Sequence, residues 1–488
     1  MILGHPLSRR RLLYGAGISV ACFSLPPQAV AQFGPTGFNV LRARNSTAML
    51  RGEGHAATPV WAYGDTVPGP PLRVRRGEEL RVRVFNDLDE PTAVHWHGVR
   101  LPNEMDGVPH LTQAPIAPGG SFNYRFRARD AGTFWYHPTG DGGEQAARGL
   151  YGVLIVGESE KVEVDRDLAL VFDDWRLTPE GTIDTEAGRV GGQLTVNGTP
   201  ALDLAVRKNE RLRLRLLNAS RARPLALRFD GHVAWVMAID GQPAEPFTAR
   251  SSRVILGPGN RVDLFLDATL EPGASAPIVI EGAPAEAPLM RLVYGPEPFR
   301  ATALLDPKPL PANPLPQRLD LKGAYRQDLQ LAAGTRPTPS PHEKPALFTV
   351  KRGRVVVLAI ANPLETASVV HVHGHTMRLL DRLDDGWKPF WLDTVMVGPR
   401  QTDRVAYLAD NPDAGDTFEG IIEWWLLHQR IKYETRTVSE AVTKLIDEGL
   451  IQEEKGPDSR VGYRVHRGAH HVQNIQERLS QIRSSLDD

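Results

Sequence analysis

Three stretches of this chain are copies of one pattern: VRRGEELRVRVFN at residues 74–86, VRKNERLRLRLLN at 206–218 and VKRGRVVVLAIAN at 350–362. Each reads as a turn followed by an alternating strand that closes on asparagine. A second strand follows each copy. A proline turn and a further strand come next: IAPGGSFNYRF from Ile116, LGPGNRVDLFL from Leu256 and VGPRQTDRVAY from Val397. The copies begin 132 and 144 residues apart. A strand-rich unit of that size, repeated, predicts three antiparallel Greek-key β-sandwiches of roughly 130 residues each. The 45 glycines and 40 prolines fit a turn-rich β chain better than a helical bundle.

Aligning the copies on their closing asparagine brings out a second regularity. Nine and eleven residues after Asn86 stand His95 and His97, and nine and eleven after Asn362 stand His371 and His373. The same positions after Asn218 are Leu227 and Phe229. Residues i and i+2 of a strand share a face, so each outer copy points two imidazoles the same way. Placed face to face, the first and third units would enclose a four-histidine site. Imidazole suits copper, zinc, iron and nickel. A further histidine, His137, ends the aromatic run GTFWYHP at residues 132–138, with Thr139 two residues beyond it.

Net charge is −1, with 57 Lys and Arg against 58 Asp and Glu, so nothing points to a nucleic-acid or membrane-surface partner. At the N-terminus, SRRRLL at residues 8–13 precedes a short apolar run and a small-residue site, AVA, at 29–31. That pattern predicts a twin-arginine signal over residues 1–31 and a periplasmic mature protein. No other segment is apolar and long enough for a membrane span. The single cysteine, Cys22, lies inside the signal, so the mature chain would have no thiolate for a metal, a disulfide or nucleophilic catalysis.

The stretches AVHWHGVRLPNEMDGVPHLTQAPIAPG, GTFWYHP, RGLYGVLIV, HVHGHTMRLLDR and RVAYLADNP resemble multicopper oxidases of the laccase type, over roughly residues 35–415. The resemblance implies an all-β chain of three cupredoxin-like sandwiches. It implies copper as cofactor, with one-electron oxidation of a small reducing substrate or metal ion at a blue copper and O2 reduction at a trinuclear cluster. Carried over, His95 and His371 would bind the mononuclear member of that cluster. His97, His137 and His373 would bind the coupled pair. Asp106, in MDGVP, would supply protons to reduced oxygen.

The chain also departs from the family pattern. Thr139 stands where a second histidine is expected, and a hydroxyl is a poor copper ligand. Ser368 stands where a blue-copper histidine is expected. After residue 412 the expected His-Cys-His is missing; the chain reads DAGDTFEGIIEWWLLHQRIKYE, with His428 alone. A blue copper needs a thiolate beside its two imidazoles. The expectation is therefore a partial trinuclear-type copper site with no blue copper and an incomplete electron relay.

From about Thr417 the pattern turns helical. TVSEAVTKLIDEGL puts Val438, Ala441, Val442, Leu445 and Ile446 on one helical face. Residues 450–467 then read as a hairpin turning at 456–459. Helix then hairpin resembles a winged helix. Its ten Lys and Arg against twelve Asp and Glu give no basic footprint for DNA. The expected organisation is a signal at 1–31, cupredoxin domains at 35–158 and 159–298, a proline-rich linker at 299–345, an incomplete third domain at 346–416 and a winged-helix-like α/β tail at 417–488. Three functions stay open. One is a copper-dependent oxidoreductase with impaired family chemistry. Another is a non-enzymatic periplasmic cupredoxin scaffold. The last is the product of a fused or disrupted reading frame.

Overall fold

The computed structural model describes residues 37–139, 143–184, 191–281, 289–331, 347–380 and 390–409, with the backbone of strands Ile451–Lys455 and Val461–Val465. The three repeats each build a sandwich in the same way. In each, the asparagine-closing strand (Glu79–Asn86, Arg211–Asn218 or Val355–Asn362) lies between two partners. On one side a preceding strand runs parallel to it: Asn39–Ala48, Arg166–Trp175 or Tyr325–Gln330. On the other the strand after the proline turn runs antiparallel: Ser121–Arg127, Arg261–Asp267 or Gln401–Leu408. Tyr325–Gln330, which falls within the stretch read as linker, is thus an edge strand of the third sandwich.

The structure explains why each repeat closes on asparagine. The Asn86 amide donates to the carbonyls of Glu90 and Ile116, both at 2.8 Å, and its oxygen accepts from Leu88 N at 3.1 Å. Asn218 holds Arg223, Leu256 and Ser220 in the same way. Asn362 holds Thr366, Val397 and Leu364. Two donors and one acceptor on a short side chain clip the turn after the strand to the residue that opens the proline turn. All three are buried, so each missing bond would leave a buried carbonyl or N–H without a partner.

The second layer separates the copies. In the first sandwich it has four strands in the order Gly69–Arg75, Gly152–Gly157, Gly132–His137, His95–His97. In the second it has five, and the Leu225–Phe229 strand sits inside it with Leu227 and Phe229 in the core, as the apolar replacement of the histidines predicts. In the third, among the described residues, it has two: Ser368–His371 and Thr394–Val397. The equivalents of Gly132–His137 and Gly152–Gly157 would follow Gln401–Leu408 in the chain. Residues 410–450 lie outside the described residues, as do the predicted signal, the helix at 438–446 and His428. Of the tail, Ile451–Lys455 pairs antiparallel with Val461–Val465, Ile451 opposite Val465.

The Arg-Leu-Arg-Leu-Arg alternation of Arg211–Asn218 buries both of its faces. Leu212, Leu214 and Leu216 enter the second core. The opposite face meets partners from several parts of the fold. Arg213 pairs with Asp263 at 2.6 Å and Glu158 at 2.7 Å, and Arg215 with Asp167 at 2.5 Å. Arg215 also donates to Thr133 Oγ1 of the first sandwich at 2.9 Å. Beside this network an apolar cluster that includes Trp135, Tyr151, Trp175 and Leu217 joins the first two sandwiches. The buried guanidiniums of this strand are tolerated because Arg211, Arg213 and Arg215 each have a bidentate or multiple acid partner.

Candidate metal centre

Short strands from the two outer repeats carry the histidines. His95–His97 pairs antiparallel with Gly132–His137, which sets His95 opposite His137 and His97 opposite Trp135. Ser368–His371 pairs with Thr394–Val397, His371 opposite Thr394, and His373 lies two residues past the strand's end. Period-two alternation turns both pairs toward the boundary between the first and third sandwiches. There the rings close up. His95 and His373 have centroids 4.0 Å apart, and His97 and His371 stack at 3.8 Å. His137 lies 5.4 Å from both His95 and His97. All five are buried.

Hydrogen bonds fix how these rings face. The Nδ1–H of His371 donates to the Asp393 carbonyl at 2.8 Å, and that of His137 to the Pro138 carbonyl at 2.8 Å. His95 Nδ1 meets the Asp106 carbonyl at 3.0 Å, and His373 Nδ1 the Asp106 Oδ2 at 2.9 Å. A ring that donates from Nδ1 carries its lone pair on Nε2, the arrangement that orients a metal-binding imidazole. His371 Nε2 is buried without a hydrogen-bond partner. His97 lies 3.2 Å from His137 through Nδ1 and 2.7 Å from Thr394 Oγ1 through Nε2.

Donor atoms within 4.8 Å of one another form three overlapping triads: His95, His371 and His373; His95, His97 and His137; and His97, His371 and Asp393. Each is a buried set of imidazoles, one with a carboxylate, a donor set that suits copper. Burial pushes His97 and His371 well below the usual imidazole range; Arg261 pushes His97 further down, and the neighbouring imidazoles do the same for His371 against the opposing Asp393 carboxylate. Neutral rings are the ligating form. Burial alone would raise the Asp106 carboxyl, but the His373 and His95 imidazoles hold it well below the usual carboxylate range.

The expected site residues therefore meet in one place: His95, His97, His137, His371, His373 and Asp106. The departures fall where the sequence puts them. Thr139 is buried two residues past His137. Ser368 is buried with its hydroxyl unpartnered.

Sequence reasoning overlooks Asp393 and the residues that hold it. Arg261 donates to Asp393 Oδ1 at 2.8 Å and to the Thr133 carbonyl at 3.2 Å, so one second-sandwich guanidinium touches both outer sandwiches. Asp240 accepts from Arg261 N at 2.9 Å and from Thr394 N at 3.2 Å. Gly98, at φ +83°, lets the chain pass this pair; a Cβ there would run into Asp393 and Arg261. The repeat alignment holds a signal for Asp393. Four residues before the proline-turn residues Ile116, Leu256 and Val397 stand Thr112, Ser252 and Asp393, so only the third copy has an acid there.

The comparisons with known proteins come to the same fold and chemistry. Multicopper oxidase family models match residues 45–161, 158–276 and 311–436. The multicopper oxidase MmcO of Mycobacterium tuberculosis is 29% identical over 500 residues, 87% of this chain and 94% of that protein. Laccase-1 of Botryotinia fuckeliana is 31% identical, over 48% of this chain and 43% of its own. The crystal structure of a multi-copper oxidase from Pseudomonas thermotolerans superposes with a TM-score of 0.69 at 33% identity, covering 78% of this chain and 97% of that one. Three successive family matches, one to each repeat, and a solved relative covered nearly end to end lead to one conclusion: the chain belongs to the multicopper oxidase family.

Proposed function

We propose that this protein is an exported, copper-binding member of its family that holds copper at a partial trinuclear-type site and lacks the blue-copper relay. The observation that carries the reading is the buried convergence of His95, His97, His137, His371 and His373, from the first and third sandwiches, with donor atoms within 4.8 Å in each triad. Copper bound there would supply one-electron redox chemistry toward O2. His95, His371 and His373 would hold one ion. His97 and His137 would hold another, with Asp393 a further donor beside His97 and His371. Asp106 Oδ2 accepts a hydrogen bond from His373 Nδ1–H, which orients that ring and puts a carboxylate beside the cluster through which protons could pass to reduced oxygen.

The relay is the missing part. The chain has one cysteine, Cys22, inside the stretch read as an export signal, and Ser368 offers a hydroxyl where imidazole would be needed. Without a thiolate there is no blue copper. The small reducing substrate, or metal ion, must then reach the histidine site without that intermediate, and turnover should be slow. The change of sequence pattern after residue 412, where the expected His-Cys-His gives way to DAGDTFEGIIEWWLLHQRIKYE, favours a second reading, in which a fused or disrupted reading frame has replaced the last oxidase strands.

Copper per chain, measured on the full protein after loading, tests the first reading. About one or two ions per chain with no intense blue absorption supports it. A ratio near zero leaves a scaffold or a broken gene product, and intense blue absorption would overturn the missing-relay argument.

A further inference from the structure

The first sandwich has one sheet that holds His95, His97 and His137 and another that does not. The other runs Thr58–Tyr63, Asn39–Ala48, Glu79–Asn86, Ser121–Arg127. Its inner face gives Leu80, Val82, Val84, Tyr124 and Phe126 to the core. Period two sends the alternate side chains of the last two strands to the opposite face, where Glu79, Arg81, Asn123, Arg125 and Arg127 are exposed. The register sets Arg81 directly opposite Arg125, Glu79 opposite Arg127 and Arg83 opposite Asn123. Arg83, Arg81, Arg125 and Arg127 thus form a staggered band across two strands. Neighbours along a strand are about 6.8 Å apart, and the strands about 4.8 Å.

The band carries an excess of charge even though each guanidinium has a hydrogen-bond partner. Glu79 Oε2 accepts from Arg81 Nε at 2.5 Å and from Arg125 Nη2 at 3.4 Å. Arg83 Nε donates to the neutral Asn123 Oδ1 at 2.7 Å, and Arg127 Nη1 to the Gly77 carbonyl. Four positive charges therefore share one carboxylate. The turn before Glu79 does not cancel them, since it sets Arg75 and Arg76 against Glu78. Beyond the band the same face is balanced: Arg42 pairs with Asp87, and Arg44 with Asp65. The whole chain is balanced too, at −1, so the excess is local. Like charges directly opposite on a sheet, as at Arg81 and Arg125, destabilise it, and a bound anion would relieve that.

The spacing suits a chain of anions better than a single one, because one carboxylate or sulfate engages one guanidinium fork. Among such chains, single-stranded nucleic acid needs aromatic faces for its bases, and the Phe85 ring on this sheet lies under Arg42 at 4.3 Å. A lipid surface takes up apolar side chains, and the band has none.

We propose that this band docks a polysaccharide bearing carboxylates or sulfates, its anions on Arg81, Arg83, Arg125 and Arg127. The inference is independent of copper, since the histidines lie in the other sheet. The test is equilibrium binding of the full-length protein to polygalacturonate, dextran sulfate and neutral dextran. The proposal expects both charged polymers to bind, added salt to weaken them, and neutral dextran not to bind. Arg83→Gln with Arg125→Gln should weaken binding about tenfold, and Glu79→Gln, which removes the one acid, should strengthen it about threefold. Arg42→Gln, outside the band, should change it less than about twofold. Thermal unfolding should barely move in any of these surface variants. Three results would overturn the proposal: neutral dextran binding as well as the charged polymers, Arg42→Gln weakening binding as much as the paired change (a diffuse attraction only), or single-stranded DNA or phosphatidylglycerol vesicles binding more tightly than either polysaccharide.

Discussion

The first and third sandwiches start from the same repeat and present the same His-x-His, yet they support it differently. The first backs His95–His97 with Gly132–His137 and then two further strands, and that inner strand adds Phe134 and Tyr136 to the core and His137 to the site. The third, among its described residues, backs Ser368–His371 with Thr394–Val397 alone. Those described residues are also tied to the second sandwich: Asp393 is anchored by Arg261. The lesson is that the histidines of a shared site can be set by a paired inner strand on one side and with the help of an interdomain ion pair on the other.

That difference can be broken most directly at Arg261. Replacing it with Ala leaves Asp393 and Asp240 buried without their cation, a loss of about 3–5 kcal/mol. Thermal unfolding of Arg261→Ala should show it, with copper uptake falling as well. An unchanged melting temperature would mean that the third sandwich is held by something else.

The residues between the paired histidines sharpen the comparison. Trp96 and Val372 are both fully buried, one in each outer core. Trp96→Ala should cost about 3–5 kcal/mol. Val372→Ala should cost about 2 kcal/mol, the transfer value of two methyl groups. Denaturant melts of the two variants give the ratio. Equal losses would show that the third core is as tightly specified as the first.

Smaller and more uniform effects are expected at the clips. Asn86→Ala, Asn218→Ala and Asn362→Ala each leave buried backbone groups unpartnered, for about 1–3 kcal/mol apiece. A much smaller cost at Asn362 would indicate that the third repeat is clipped more loosely than the other two.

The gentlest effect lies at the first–second boundary. The Tyr151 hydroxyl donates to Asp173 Oδ2 at 2.6 Å. Burial pushes the Asp173 carboxyl up to about 8, the Tyr151 bond opposing it only in part. A carboxyl raised in the folded state keeps a proton that the unfolded chain releases. Its stabilising contribution is therefore full below the ordinary carboxylate range and is lost as pH rises toward 8. Asp173→Asn should flatten the stability profile over that window, and an unaltered profile would contradict the assignment.

Much of this arrangement was legible in residue spacing. The repeat gave the three sandwiches, and the offset of nine and eleven from asparagine gave the two histidine pairs and their absence from the middle copy. The alternating pattern of residues 206–218 hid something, because a polar face reads as solvent-facing whether water or another domain covers it. The structure buries Arg211, Arg213 and Arg215 there. Asp393 escaped notice for a related reason: its partner Arg261 is 132 residues away in the chain, and no local period links them.

The central claim is that copper sits among the histidines of the outer sandwiches with no thiolate. X-ray absorption at the copper edge of the loaded full-length protein tests it most directly. The account predicts a first shell of nitrogen and oxygen donors with imidazole scattering, reduced in His371→Ala. A sulfur donor in that shell, or a copper signal indifferent to His371, would contradict it.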